Sequence, residues 1–391
     1  MMSEPWLTII GLGEDGPAGL PDASRKVIAA ADVVFGAPRH LDLMGIAGQA
    51  WPVPFDVAPV LAHRGKRVVV LASGDPFWFG AGGSLMAHLR PGEWVSHPVP
   101  GTFALAANVL GWRLEDTLCL GLHAAPLARL RPVLGRGVRV ICLLRDAAAV
   151  ADLAAYLPTI GQGDADLTVL ECLGGPRQRV RAAKCDTVVG KISVPVAVAI
   201  EGRDQGLPAA VALPDDAFAH DGQITKRPVR ALTLAALAPR AGEVMWDIGA
   251  GSGSVGIVWL LSGGGQVHAV EGDATRAARA AENAASFGLT HRYTLHHHRA
   301  PEGLHGLPRP DSVFVGGGAS AAVLETVWQL VGPGTRIVVN AVTLETESLL
   351  ATWSALHGGS LLRIDLAEAT PLGAKRGWRA AYPVVQWSVT R

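Results

Sequence analysis

Cysteine is scarce in this chain of 391 residues: there are four, Cys119, Cys142, Cys172 and Cys185, all in the first half and none in C-x-x-C spacing. That argues against a disulfide framework or a zinc site and points to reduced, packed thiols. Net charge is lacking too, since 34 basic residues balance 34 acidic ones. A general nucleic-acid binder needs a basic face to displace counterions, so that class is disfavoured. The opening residues do not read as a charged-then-apolar leader, and no uninterrupted apolar run reaches about 18 residues. The expectation is a cytoplasmic protein that does not meet a membrane. The 47 glycines and 26 prolines form no low-complexity run, which places them in turns.

The length exceeds that of a usual single domain, so two domains are expected. In the first half, "VVVLAS" (68–73), "VRVICLL" (138–144) and "LTVLEC" (167–172) read as buried strands. "DASRKVIAAA" and "GTFALAANVL" read as helices, the former capped by Asp22 after Pro21. Residues 203–222, rich in Gly, Pro and Asp, break the pattern and set a boundary: 1–206 and 207–391. Beyond it, strands "EVMWDIG", "QVHAVEGD", "SVFVGGG" and "TRIVVNAV" alternate with helices, which implies a parallel sheet covered on both faces. The end, "GWRAAYPVVQWSVTR", has strand character and is expected to supply a closing antiparallel edge.

Two glycine-rich turns stand out. In the later one, Asp247-x-Gly249-x-Gly251-x-Gly253 lies between a strand and a helix, and Glu271 closes the next strand. That placement suits a carboxylate accepting both hydroxyls of a ribose, while the glycines admit an adenosyl group to the backbone. The earlier turn, Gly11-x-Gly13-x-x-Gly16, has dinucleotide-binding spacing. Pro17, Gly19 and Pro21 nevertheless prevent a helix from starting right after Gly16, and the next strand ends in Gly36 rather than an acid. As a dinucleotide fingerprint it is a decoy.

These residues carry resemblances. The D-x-G-x-G-x-G turn with its downstream acid resembles class I S-adenosylmethionine-dependent methyltransferases. "GLGEDGPAGLPDASRKVIAAADVVFGAPRHL", ending in Gly36, Arg39, His40 and Leu41, resembles the opening of the tetrapyrrole methylases, in their cobalamin-pathway branch. "LASGDPFWFGAG" is similar to that family's Ser-Gly-Asp-Pro loop and "ECLGGPRQRVR" to its Glu-x-Leu-Gly-Gly segment. The second half, from "DGQITKRPVRALTLAALA" through the glycine turn, resembles the decarboxylating precorrin methyltransferases. The implied fold is α/β throughout: a two-subdomain tetrapyrrole methylase fold followed by a Rossmann-like class I methyltransferase fold.

The resemblance implies two S-adenosylmethionine sites, one per domain. Gly74, Asp75, Pro76 and Thr102 match the first; Thr225, Gly249, Ala250, Gly251, Ser252, Gly253, Glu271 and Ala300 match the second. Two departures are visible: Pro100-Gly101-Thr102-Phe103 where relatives carry serines, and Pro228 where relatives often carry an acid. Also implied are a reduced tetrapyrrole of the precorrin type as substrate and a homo-oligomer. The first domain would methylate carbon 5; the second would methylate carbon 15 and release the carbon 12 acetate as carbon dioxide.

Other residues invite narrower readings. His296-His297-His298 suggests a metal, but neighbours on a strand point to alternate faces and cannot converge on one ion, so no metal is expected. Trp51, Trp78, Trp94 and Trp112 could stack on a macrocycle; only Trp78, beside Asp75-Pro76, stands as a site candidate, together with Arg39-His40 at a strand end. Gly316-Gly317-Gly318 follows a strand at the edge where open sheets bind ligands and leaves room for something broad and flat. Lys226, Arg227, Arg299, Lys375, Arg376 and Arg379 are candidates to pair with substrate carboxylates. Two rivals remain at this level: an RNA methyltransferase, which zero net charge and the glycine triplet disfavour, and a cofactor-binding regulatory module without turnover.

Overall fold

Continuous β-branched runs make strands buried on both faces, the condition of a parallel sheet covered by helices. The computed structural model describes residues 5–187 and 190–391. The chain divides into two compact units, one of residues up to Leu127 with Leu134–Gly206, the other of Ala128–Val133 with Leu207–Arg391.

In the first unit β1 (Leu7–Leu12), β2 (Val33–Gly36), β3 (Gln49–Ala50), β4 (Val68–Ser73) and β5 (Trp94–His97) form a parallel sheet in the order β3-β2-β4-β1-β5. Every residue of β1 is buried. A second sheet takes β6 (Leu118–Gly121), β7 (Arg139–Leu144), β8 (Asp166–Glu171), β9 (Arg179–Ala183) and β10 (Val196–Glu201) in the order β6-β7-β10-β8-β9. Only β6 and β7 pair in parallel there; the rest is antiparallel. After β1 a short 3-10 turn, Gly16–Gly19, does start at Gly16 with Pro17 at its head, while the α-helix waits until Asp22–Ala29. Pro21, not Asp22, is the N-cap; Asp22 lies inside the first turn and pairs with Arg25.

In the second unit β11 (Val244–Ile248), β12 (Gln266–Glu271), β13 (Tyr293–His297), β14 (Ser312–Val315), β15 (Arg336–Ala341) and β16 (Ser360–Ile364) precede a two-stranded hairpin, β17 (Ala367–Leu372) and β18 (Lys375–Ala380), and the final β19 (Val384–Thr390). The main sheet runs β13-β12-β11-β14-β15-β19-β16, its first five strands parallel. Strand order reverses between β11 and β14, so a crevice forms at the carboxyl ends there. Met245 faces one core cluster, Trp246 and Ile248 the other, as strand alternation requires. The expectation that the chain end closes the sheet needs correction: β19 is antiparallel but lies between β15 and β16, and β16 takes the edge. Residues 203–222 are not all solvent-facing loop either. Two 3-10 turns, Ala210–Ala212 and Asp215–Ala217, carry Leu213 and Phe218 into the second core. Among the described residues no helix is long and apolar enough to cross a membrane. All four cysteines are free thiols.

Candidate functional site

The crevice of the second unit is built by backbone. Gly249, Gly251 and Gly253 have φ of 68°, 57° and 73°, the left-handed region that side chains resist. A Cβ on Gly249 would fall 2.3 Å from Gly317 O, so the turns after β11 and β14 meet where the strand order reverses. Glu271, 8% exposed, accepts from Gly251 N–H at 2.8 Å and from Asp273 N–H at 2.9 Å. Asp247 lies beneath the turn, accepting from Gly256 N–H at 3.0 Å, with its other oxygen buried and unpartnered. Burial pushes its carboxyl up to about 7, helped by the negative Glu271 and opposed by the Gly256 N–H. The turn after β13 folds back over that after β12, since a Cβ on Gly272 would sit 2.9 Å from Arg299 Cγ; Ala300, next to Arg299 in the chain, packs partly buried against the core. Gly316 to Gly318 lie at the end of β14, the last two exposed.

Thr225 is held by residues that the sequence reading missed. Arg230 is wholly buried and donates to Asp215 Oδ1 at 2.9 Å, Thr225 O at 2.8 Å and Leu213 O at 2.5 Å. The signal was its helical period, which places it beside Val229, Thr233 and Leu234 on the buried face of the helix Arg227–Leu237. Pro228 fits that helix because its first turn has no use for an N–H. Asn283 exchanges two bonds with Ala219 and donates to Ser252 O at 2.8 Å, tying the 219–225 strap to the glycine turn. Asp221 adds ion pairs with Arg276 and Arg279.

In the first unit Gly74, Asp75, Pro76 and Thr102 are brought together by close backbone contact. A Cβ on Gly11 would fall 1.9 Å from Gly74 O, and one on Gly74 would fall 2.5 Å from Gly101 Cα. Gly11, near the end of β1, thus joins Gly74 and Gly101, in the loops after β4 and β5, in a three-glycine pinch. Asp75 accepts from Phe77 N–H at 2.8 Å, and Thr102 opens the helix Thr102–Leu110. Arg39 and His40 lie not at the strand end but in the helix Pro38–Met44 that follows β2. Trp78, 42% exposed, rests 5.1 Å from the Phe103 ring, whereas Trp51, Trp94 and Trp112 pack against the cores.

The remaining candidates divide. Lys226 and Arg227 directly follow Thr225 and Arg299 sits on Gly272, while Lys375, Arg376 and Arg379 lie on the β17–β18 hairpin; all are exposed. His296 Nε2 is 3.0 Å from His268 Nδ1 with the rings stacked, and His297 and His298 are exposed. Among the described residues no group of three or more His, Cys, Asp or Glu side chains could hold a metal.

Residues 6–189 match the family model described as Tetrapyrrole (Corrin/Porphyrin) Methylases, and residues 216–391 that described as Precorrin methyltransferase domain. The chain is 47% identical to a precorrin-6Y C(5,15)-methyltransferase (decarboxylating) of Sinorhizobium sp, covering 99% of this chain and 97% of the relative. It is 37% identical to the protein of the same description from Mycobacterium tuberculosis (strain ATCC 25618 / H37Rv), covering 98% of this chain and all of the relative. A crystal structure of the C-terminal domain of precorrin-6Y C5,15-methyltransferase from Rhodobacter capsulatus is 54% identical, covering 46% of this chain and 97% of that one, with a TM-score of 0.45. Matched over almost its whole length, with both domain types in order, the chain belongs to the precorrin-6Y C(5,15)-methyltransferase (decarboxylating) family.

Proposed function

We propose that this chain is a bifunctional S-adenosylmethionine-dependent C-methyltransferase that takes precorrin-6Y to precorrin-8X, methylating carbons 5 and 15 and decarboxylating the carbon 12 acetate. The observation that carries this reading is the full-length family match in a chain with a set of closely packed glycine turns in each unit. The RNA methyltransferase considered from the sequence fits neither the zero net charge nor the family. A non-catalytic module does not fit a family of enzymes.

Each domain takes its own cofactor in this reading. Gly74, Asp75, Pro76 and Thr102 would hold it in residues 1–206; Thr225, Gly249, Ala250, Gly251, Ser252, Gly253, Glu271 and Ala300 would hold it in 207–391. The fit is supported by the pinched glycines, which leave bare backbone, and by the buried Asp247 oxygen that lacks a partner under the second turn. When bound, the sulfonium supplies a methyl group to an electron-rich bridging carbon. The protein aligns the substrate and excludes water. In the second unit the glycine triplet leaves space for a flat ring, and Lys226, Arg227 and Arg299 offer cations to carboxylates not being lost. Carbon 5 chemistry is assigned to the first domain, carbon 15 methylation and decarboxylation to the second, and the protein to a homo-oligomer.

The test is incubation of the purified chain with S-adenosylmethionine and precorrin-6Y, followed by mass spectrometry and light scattering. A product with two added methyl groups and one carbon dioxide lost is expected. Recovery of unchanged substrate overturns the reading.

A further inference from the structure

Several stretches far apart in the sequence meet in the first unit around one hydroxyl. Ser73 ends β4, is exposed, and directly precedes Gly74-Asp75-Pro76. Its Oγ lies 2.9 Å from His40 Nε2 and 3.0 Å from Arg39 Nη2, and that arginine nitrogen is 3.1 Å from His40 Nε2. Arg39 pairs with Glu14, which is 8% exposed, and Arg177 reaches the other Glu14 oxygen at 3.3 Å. Gly175 is pressed against Glu14, where a Cβ would fall 2.6 Å from Glu14 Cβ.

The donor inventory orients this cluster. A guanidinium only donates, so Ser73 Oγ accepts from Arg39, and His40 Nε2, which faces the same Arg39 nitrogen at 3.1 Å, is the ring nitrogen without a hydrogen. Its single lone pair takes the Ser73 hydroxyl, so that bond runs from hydroxyl to ring, and the ring hydrogen is on the buried Nδ1. One lone pair of Ser73 is engaged by Arg39; the other remains on an exposed oxygen. His40 itself is 5% exposed, and burial with Arg39 beside it pushes the ring down to about 4, which keeps it neutral near pH 7.

We propose that Ser73 accepts the proton lost when carbon 5 is methylated and relays its own to His40. Ser73 is then the catalytic residue, and His40, Arg39 and Glu14 are positioning residues. This rests on the assignment of carbon 5 to the first domain. Addition of a methyl cation to a neutral ring system leaves one positive charge, cancelled by loss of one proton. The bond from carbon 5 to the methyl group forms as the sulfur–methyl bond breaks. The bond from carbon 5 to its hydrogen then breaks, its electron pair returning to the conjugated ring. The proton passes to Ser73 Oγ while the hydroxyl proton moves to His40 Nε2; nothing is oxidised or reduced. A weak acceptor suffices because the group losing the proton is already a cation. Charge is moved rather than created, and Glu14 offsets one of the two guanidinium charges, of Arg39 and Arg177, that face it.

The test uses the full chain in deuterated water with precorrin-6Y and no methyl donor, reading deuterium at carbon 5 by NMR, which reports proton transfer alone. Single-turnover methylation at carbon 5 is then measured with the donor added. Ser73→Ala is expected to lower both about a hundredfold, the lower end of the range for positioned acid–base groups, while Ser73→Thr, which keeps the hydroxyl, stays within about threefold. His40→Gln still accepts a hydrogen bond but cannot take a proton, so it lowers exchange and kcat at unchanged KM. Exchange and methylation within about twofold of the parent in Ser73→Ala overturn the proposal. Gly74→Arg separates this from failure of the assignment. Carbon 5 methylation that survives Gly74→Arg removes the assignment and the proposal with it. Methylation lost in Gly74→Arg but intact in Ser73→Ala removes the proposal alone.

Discussion

Glu271 Oε2 accepts a hydrogen bond from the backbone N–H of Gly251 at 2.8 Å, so the carboxylate that closes β12 also holds the glycine turn that follows β11. One side chain thereby shapes the crevice and offers its remaining lone pairs to whatever enters. Glu271→Ala is expected to weaken cofactor binding in the second unit by about 1.5–3 kcal/mol for each charge-assisted bond lost. Carbon 15 methylation and carbon dioxide release fall, and carbon 5 methylation persists. Mass spectrometry of the product reads this; loss of carbon 5 methylation with decarboxylation intact would show the roles of the two domains to be reversed.

Two cofactor sites per chain predict paired losses. Gly249→Ala places a Cβ at φ 68° and 2.3 Å from Gly317 O, and Gly74→Ala places one at φ 57° and 2.5 Å from Gly101 Cα. Each strained non-glycine backbone costs about 1–3 kcal/mol before the collision is counted. Calorimetry is expected to show two molecules bound per parent chain and one in either variant. A stoichiometry of one in the parent sinks the two-site reading.

Burial raises the Asp247 carboxyl to about 7 in the folded protein, against 3.8 for an ordinary aspartate. Between those values the folded state keeps a proton that the unfolded state has released. Stability from this group is therefore full below about pH 4 and declines as pH rises toward 7. Asp247→Asn keeps the acceptor for Gly256 N–H and carries no charge, so the fall in Tm across that window should flatten. Equal slopes in the variant and the parent contradict the shift.

Arg230→Met leaves Asp215 and the carbonyls of Leu213 and Thr225 without their buried donor. The Asp215 side chain is 25% exposed and water can reach it, so the cost is that of the unpaired carbonyls, about 1–3 kcal/mol, which urea unfolding of the second unit measures. Because the same side chain anchors Thr225, cofactor affinity of that unit falls with it.

A fragment of residues 207–391 is expected to fold, as judged by circular dichroism, since each half has apolar strands enough for a core. It lacks Ala128–Val133, and with them Arg131, whose guanidinium lies 4.2 Å from the Phe287 ring centre and donates to Ser286 Oγ at 2.6 Å. Its unfolding midpoint should lie below that of the second unit in the whole chain. An unfolded fragment refutes the boundary.

Much of the fold is legible in local pattern. The strand runs at 68–73, 138–144 and 167–172, and the strand–helix alternation after residue 225, follow from burial on both strand faces and from helical period, both read within a few residues. The glycines of the later turn are legible for the same reason: a positive φ is a local demand that glycine meets. The shortfall begins where a strand's neighbour matters. β19 and β16 are similar short apolar runs, and nothing in either says which one lies at the edge.

By itself the sequence determined the two glycine turns, the acid at the end of β12 and the family motifs that carry the resemblance. Only tertiary structure decided which polar side chains those motifs share. Glu14 and Arg177 are 163 positions apart, and Arg230 meets Leu213 and Asp215 across a stretch that reads as loop. A buried charge is tolerated only where partners arrive from elsewhere in the fold. Local periodicity can place such a charge on an inward face, but the partner is chosen by chain closure, which no short window of sequence contains.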